Sequence, residues 1–452
     1  MKYPEYPTVN CYVPKGFDAT KLKGYNKRHH YKYGWGIHTI LLKHIRSKSK
    51  FDEPIPLSGE VLQELFGSKY YPMIMRSLIE SNIIERFNYR VGEHAFRYRI
   101  KPHVLAKGIE KQDVDKVSIR RRIHLHRDKD LRKRLKNPIT QHEFSNLTFI
   151  EIDTQQAIDY IDKTYKKGTP KHTTRIISVY EVDKMKDTQV YDGINTIDWM
   201  FTIDRSGRWH TPISHLPKDL RQFLKTTDGK RFVELDGACS QLTFCHKYLL
   251  EHISQKVSNS HIIGEDTYQD NTTYPNQPKR YIEGYKPIGS LKLSSYDVRI
   301  DPVWRTAIFS GNAYQLLMDG MKWNKSRDEF KTYFFKHLFF NKYNVKLNRM
   351  EKAFKHYFPH EFQRLRTTKK HIGNRELAIQ VQRYESLFWH NWVGSSMRQK
   401  FKHVTYATIH DSILLPKESV NEVKAEILHQ SIRYFNPNET DQPLIPTIRI
   451  KE

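Results

Sequence analysis

The chain has 452 residues, enough for two or three domains and a sizeable core. Lys and Arg number 76 against 50 Asp and Glu, a formal net charge of +26, while 38% of residues are hydrophobic and 13% aromatic, a balance that excludes a wholly disordered chain. No apolar stretch approaches the ~18 residues of a membrane span, the opening MKYPEYPTVN holds no secretory or transit pattern, and three cysteines (Cys11, Cys239, Cys245) without a CxxC pair exclude a disulfide framework and structural zinc. A cytoplasmic setting and an anionic partner fit this composition, and for a strongly cationic surface the usual polyanion is nucleic acid.

In chain order, residues 1–20 carry Pro4, Pro7, Pro14 and Gly16 and read as an irregular arm. The run 21–32, KLKGYNKRHHYK, mixes basic and aromatic residues, and apolar spacing predicts a helix over 36–47. Within 57–100, Ser58 is set to cap a short helix. A second helix follows Gly67-Ser68 with Ile74, Leu78, Ile79 and Ile83 on one face. Two β-rich runs, 84–91 and 94–100, then meet at a turn at Gly92-Glu93. Helix, turn, helix and a two-stranded wing make 21–115 a winged helix-turn-helix module, offering Lys69 and Arg76 (with Tyr70 and Tyr71) to nucleic acid. The same pattern also serves a packing module that touches no DNA.

Residues 116–200 read as a basic helical connector or thumb. Its segment 118–136, SIRRRIHLHRDKDLRKRLK, holds nine Arg or Lys and is either a solvated face or a phosphate-tracking surface. Residues 252–296 are polar, with several Gly and Pro, and read as an insertion or long loop. From 303 the pattern is mostly helical until 404–416.

Two acids stand out by their settings. A β-rich run, Arg231-Phe-Val-Glu-Leu-Asp236, ends in a carboxylate followed by small residues from Gly237, which leaves backbone and carboxylate open to a ligand or metal. In 404–416, His410-Asp411-Ser412 interrupts two β-rich runs, a hairpin with an acid at its tip. Converging in space, two such carboxylates suit Mg²⁺, and a metal pair would clamp an in-line phosphoryl displacement.

LDGACSQLTF resembles motif A, and IHDSILLP motif C, of the family A DNA polymerases and the phage-type single-subunit RNA polymerases. Between them, Arg327, Lys331, Phe335 and Phe339 fall at the spacings of motif B, which on a continuous helix share one face. The stretch from Asp204 to Pro217, with Arg208 and His210, is similar to the segment upstream of motif A that contacts template or primer. Residues 375–385, RELAIQVQRYE, are similar to the segment before motif C, with Gln382 as the minor-groove residue.

The resemblance covers roughly 200–416 and implies an α+β right-hand polymerase over 201–452: an antiparallel palm sheet, helical fingers and a thumb, preceded by the winged module. It implies catalytic Asp236, Asp411 and Lys331, and two Mg²⁺ ions (Mn²⁺ as an alternative) held by Asp236, the Gly237 backbone and Asp411. Nucleotide would be bound by Arg327, Lys331, Phe335, Phe339 and Gln241, and the primer terminus by His410. Partners would be a DNA template or primer–template and nucleoside triphosphates, with no membrane and no proofreading. Three departures stand: Phe339 replaces the family's Tyr, the Gly after it is absent, and Gln241 occupies the steric-gate position where DNA-synthesising members carry Glu and RNA-synthesising members Gly. The leaning is therefore to DNA synthesis. An RNA polymerase or primase is the alternative, and a non-catalytic winged-helix initiator or regulator the reading from another class. Compactness and absent proofreading suggest a phage or mobile-element enzyme, hence a host cytoplasm.

Overall fold

Buried apolar residues gather into two cores, one drawn from Val9 to Ile177 and the other from Val233 to Ile448. The computed structural model describes residues 6–47, 53–89, 95–114, 116–191, 194–197, 199, 201–259, 302–435 and 446–451. The chain divides into two units, the first comprising Met1–Lys136, Leu147–Thr202 and His210–Arg231, the second Asn137–Asn146, Ile203–Trp209 and Phe232–Glu452. Both mix helices with small antiparallel sheets. Among the described residues no helix is long and apolar enough to cross a membrane.

The first unit opens with β1 (Val9–Pro14), α1 (His30–Ser47), β2 (Ile55–Pro56), α2 (Gly59–Phe66), α3 (Tyr71–Glu80), β3 (Ile84–Phe87), β4 (Arg97–Ile100), α4 (Pro102–Leu105), β5 (Ile109–Val114) and α5 (Val117–Arg134). The expected irregular arm is corrected here: Val9–Pro14 is a strand paired antiparallel with β5, Val9 opposite Val114 and Pro14 opposite Ile109. Pro14 sits in a two-stranded sheet, where each strand is an edge and a missing N–H is tolerated. Helix α1 begins six residues before the expected 36. Asn26 caps a 3₁₀ turn over Lys27–His29 that leads into it. Its Tyr33, Ile37, Ile40 and Leu41 are fully buried at helical spacing, each contributing about 1.5–3 kcal/mol.

Strands β2, β4 and β3 form one antiparallel sheet in that order. Ser58 accepts a hydrogen bond from the Glu60 amide and caps α2. Lys69 and Tyr70 lie before α3 rather than on it, because the helix starts at Tyr71 with Pro72 in its first turn. The turn expected at Gly92-Glu93 lies outside the described residues. Helix α5 is not a purely solvated face, since Arg120 donates to the Tyr6 carbonyl and Arg127 to that of Ile197.

Next come α6 (Pro138–Leu147), nearly all of it in the second unit, then β6 (Ile150–Ile152), α7 (Thr154–Thr164), α8 (Pro170–Asp183), β7 (Gln189–Tyr191), β8 (Ile194–Thr196), β9 (Thr202–Ile203), β10 (Trp209–His210), α9 (Pro212–His215) and β11 (Leu224–Thr226). Strand β11 pairs with β6, and β7 with β8.

The second unit continues with β12 (Phe232–Gly237) and α10 (Ser240–Asn259). Residues 252–259 thus extend a helix rather than belonging to a loop. The rest of the expected insertion, 260–296, lies outside the described residues. The helices and strands after it are α11 (Pro302–Phe309), α12 (Ala313–Gly320), α13 (Arg327–Phe334), α14 (Arg349–Tyr357), α15 (Pro359–Ser386, kinked at Gly373), α16 (Gly394–Lys400), β13 (Ala407–Ile409), β14 (Ser412–Pro416), α17 (Val420–Phe435) and β15 (Ile448–Lys451). The sheet of this unit runs β13-β14-β12-β15, antiparallel throughout. Helix α6 covers the β13 edge: Glu143 accepts from the Thr408 amide at 3.0 Å and Asn146 from the Tyr406 amide at 3.3 Å. Polar side chains there satisfy backbone donors that an open edge would expose.

Two helical stretches loosen into π turns, Phe335–Phe339 after α13 and Leu387–Val393 after α15. The first corrects the expected single face for 327, 331, 335 and 339. The Phe340 amide reaches back five residues to the Phe335 carbonyl, and this wider turn rotates Phe339 and its neighbours out of the four-residue phase.

Candidate active site

Pairing on both edges, with Val233, Glu234 and Leu235 buried in succession, makes β12 a central strand, and its register sets the site. Asp236 lies opposite Ser412 of β14 on one side and Arg449 of β15 on the other. Asp411 precedes Ser412 at the β13–β14 tip, and its carbonyl accepts from the Gly237 amide at 3.2 Å. The two sequence-flagged acids therefore sit at neighbouring strand ends. The backbone beside each is unusual: His410 and Cys239 hold φ of 51° and 53°, a left-handed conformation that costs a non-glycine residue about 1–3 kcal/mol and gathers at functional sites. The Ser412 hydroxyl donates to the Ile409 carbonyl at 3.0 Å and closes the hairpin tip.

A third carboxylate, Glu385 at the end of α15, does not stand out in the sequence. It is fully buried. The Arg208 guanidinium grips it through Nε at 3.0 Å and through Nη2, and the Ser240 hydroxyl donates to it at 3.1 Å. Arg208 is presented by a turn in which Asp204 accepts from the Ser206 and Arg208 amides. Arg208, expected as a primer or template contact, is paired with Glu385. The available signal was position: Glu385 is the last residue of the 375–385 stretch, in which Gln382 was the expected functional side chain. Gln382 is half-buried on α15.

The three acids differ in their partners. Asp236 pairs with Lys451 at 2.7 Å and Glu385 with Arg208. No cation is paired with Asp411 among the described residues. Burial first, then the charges of Glu385 and Asp236, pushes its carboxyl up from 3.8 to about 7. Surplus negative charge on hard oxygen donors fits a divalent cation of the Mg²⁺ kind, which takes its remaining oxygens from water and substrate phosphates. Among the described residues no group of three His, Cys, Asp or Glu side chains is arranged to hold a metal unaided.

Two cations, Arg327 and Lys331, reach the same region. Ser326 and Glu329 form a capping box that starts α13. Arg327 donates to the Gly311 carbonyl at 3.2 Å, and its guanidinium lies 5.9 Å from the ring centre of Tyr314, with the Lys331 amine 5.6 Å from that ring. Tyr314, also missed from sequence, is buried. Burial drives its hydroxyl well above the ordinary value, with Cys239 and Asp411 adding and Arg327 opposing. Burial likewise raises the Cys239 thiol, against which Arg327, the amides of Ala313 and Tyr314, and Lys331 act. Gly311 makes this approach possible: φ is +78°, and a Cβ there would lie 2.8 Å from that of Ala238.

The aromatics that follow on from α13 part company. Phe335 is half-buried against Tyr314, whereas Phe339 is buried in the apolar core and Phe340 is the ring left exposed. Gln241 is half-buried in the first turn of α10, next to Ser240. Lys69, Arg76 and His210 belong to the first unit, with Lys69 and Arg76 exposed and His210 stacked on His215 at 5.3 Å.

No family model and no curated protein matches the sequence. Among solved structures, the polymerase domain of Pol1 from M. smegmatis, in complex with DNA primer-template and dNTP, is similar over 66% of this chain at 11% identity and a TM-score of 0.35. The match spans about half of that chain's length, 55%.

Proposed function

We propose that the chain is a template-directed nucleotide polymerase, a DNA-directed DNA polymerase without proofreading, joining a primer 3′-OH to the α-phosphate of a nucleoside triphosphate. The observation that carries this reading is the register of β12 against β14, which sets Asp236 beside Asp411 with Arg327 and Lys331 approaching from α13. In this reading Asp236, the Gly237 backbone and Asp411 hold divalent metal. Bound there, two Mg²⁺ ions would lower the effective pKa of the 3′-OH and neutralise charge on the leaving pyrophosphate. Arg327 and Lys331 grip triphosphate oxygens, where charge-assisted bonds to cationic donors are strongest. Phe335 stacks on the incoming base, and His410, held by its left-handed backbone, faces the primer terminus. Glu385 and Arg208 are positioning residues: they lock the end of α15 against the motif A turn through Ser240.

In the first unit, we read the order helix, strand, two helices and two strands over 30–100 as a winged helix. Its exposed Lys69 and Arg76 are assigned to nucleic-acid phosphates. The Asp236-Gly-Ala-Cys239 turn also favours a second reading, RNA synthesis on the same palm.

Primer extension with Mg²⁺ tests both. Wild type is expected to extend, and Asp236→Ala or Asp411→Ala to lose incorporation by several powers of ten while binding template normally. Wild-type rates in either variant would end the polymerase reading. Extension with rNTPs alone would select the second reading.

A further inference from the structure

We propose that the first unit carries a separate pocket for a terminal phosphate, the dianionic phosphomonoester at the end of a nucleic-acid strand or on a mononucleotide. The site is a groove of about 300 Å³ lined by Arg28, His29, Lys32, Lys116, Ser118 and Arg122, with Ile119 as its apolar member. Its walls are the 3₁₀ turn Lys27–His29, the first turn of α1 and the start of α5. All its residues belong to the first unit, and it does not depend on the role of the second unit's carboxylates.

Four features make this a built anion site rather than a basic stretch of surface. First, the cations crowd one another. Lys32 is held below its ordinary pKa by burial, then by Arg122 and Lys116, and His29 by burial, then by Lys32, Lys116 and Arg28. Second, among the described residues no carboxylate pairs with Arg28, Lys32, Lys116 or Arg122. Third, Lys32 is positioned, its amine donating to the Phe66 carbonyl at 2.8 Å and resting 4.6 Å from the Tyr70 ring centre. The His29 ring packs on the same Tyr70 at 4.4 Å and keeps a buried Nδ1 without a hydrogen-bond partner. Fourth, the 18-residue helix α5 starts at this groove with Lys116 as its N-cap and no side-chain cap. The Ile119 amide already donates to the Lys116 carbonyl, so the amides of Val117 and Ser118 and the Ser118 hydroxyl are the groups suited to phosphate oxygens.

Cations that track a strand's diesters are strung along a face. Here they surround one depression, and a phosphate of two negative charges answers that arrangement best. No atom in this set belongs to the assigned Lys69 and Arg76 contacts.

The test uses the full chain and short single-stranded DNA labelled at its 3′ end, carrying either a 5′-phosphate or a 5′-hydroxyl. Binding is read by fluorescence anisotropy at one salt concentration. The 5′-phosphate is expected to tighten binding about tenfold, the effect of one charge-assisted contact. That ratio should fall to about one in Arg122→Glu and in Lys116→Glu. Both side chains are exposed, so thermal melting should report intact folds. Asp236→Ala should keep the wild-type ratio. The ratio matters, because any charge reversal weakens all DNA binding. A 5′-mononucleotide that erases the advantage identifies free nucleotides as occupants; one that leaves it intact identifies strand ends. Equal affinity for the two wild-type substrates, or a ratio unchanged in both reversals, overturns the proposal.

Discussion

Replacing Asp411 by Asn should make the metal-free protein more stable while ending incorporation. The carboxyl of Asp411 rises from 3.8 to about 7 because it is buried and packed against Glu385 and Asp236 with no paired cation. Ionising it in the native state therefore costs at most on the order of 4 kcal/mol relative to a solvated carboxyl, an upper figure because Asp411 keeps partial exposure. The native chain retains this proton over a range in which the unfolded chain has lost it. Native stability consequently falls as pH climbs from about 4 to about 7, and the full penalty persists above that. Asn keeps the size of the side chain and carries no charge. In urea unfolding with chelator present, Asp411→Asn should exceed wild type by up to about 4 kcal/mol at alkaline pH, and the gap should close towards pH 4. Added Mg²⁺ should stabilise wild type and leave the variant nearly unmoved. A variant no more stable than wild type at alkaline pH, or an advantage independent of pH, refutes the reasoning.

Lys331→Ala should raise the KM for nucleoside triphosphate about tenfold or more in steady-state extension, the loss of one charge-assisted contact, with primer–template affinity unchanged. Gln241→Gly should improve ribonucleotide use by up to about 10²-fold in single-nucleotide incorporation with little change for deoxynucleotides, since shape alone rejects a hydroxyl only to that extent. Gly311→Ala should lower stability in thermal melts by about 1–3 kcal/mol, because it imposes a side chain on a left-handed backbone pressed against Ala238.

Asp236 and Asp411 were legible as candidates because each ends a β-rich run, a local signal that needs no knowledge of the rest of the fold. Glu385 and Tyr314 were not, since their significance comes from convergence: Glu385 meets Arg208 across 177 residues of sequence, and a tyrosine in an apolar helix reads as core. The π turn at Phe335–Phe339 also escaped, for a change from four- to five-residue hydrogen bonding leaves no mark in composition. Strand β1 was hidden by the prolines in and before it, Pro14, Pro4 and Pro7. They argued for a loop, while the partner that makes Val9–Pro14 a strand lies about a hundred residues downstream, at Ile109–Val114. In the 57–100 block, where pairing is between near neighbours, helices and strands were readable but their ends were not: β3 stops at Phe87, and α3 starts only at Tyr71.

The sheet that seats the aspartates is closed by partners far apart in the chain. Strand β14 reaches β12 only after α10 to α16 have intervened, and the β13 edge is capped by α6 residues 260 and 265 positions earlier. During synthesis the cap leaves the ribosome long before the strand it will cover, and β12 waits with an unfilled edge while α10 to α16 emerge. Closing such a loop is thermodynamically cheap, because the entropy cost rises only by about 0.6 kcal/mol for each doubling of length. It is slow, because distant strand pairing must be found before it is rewarded. Length between β12 and β13 can therefore vary at little cost to stability, whereas folding rate and exposure to misassembly carry the burden. The acidic pair is complete only once Asp411 has been made, so partly made chains bear Asp236, Arg327 and Lys331 without the second carboxylate.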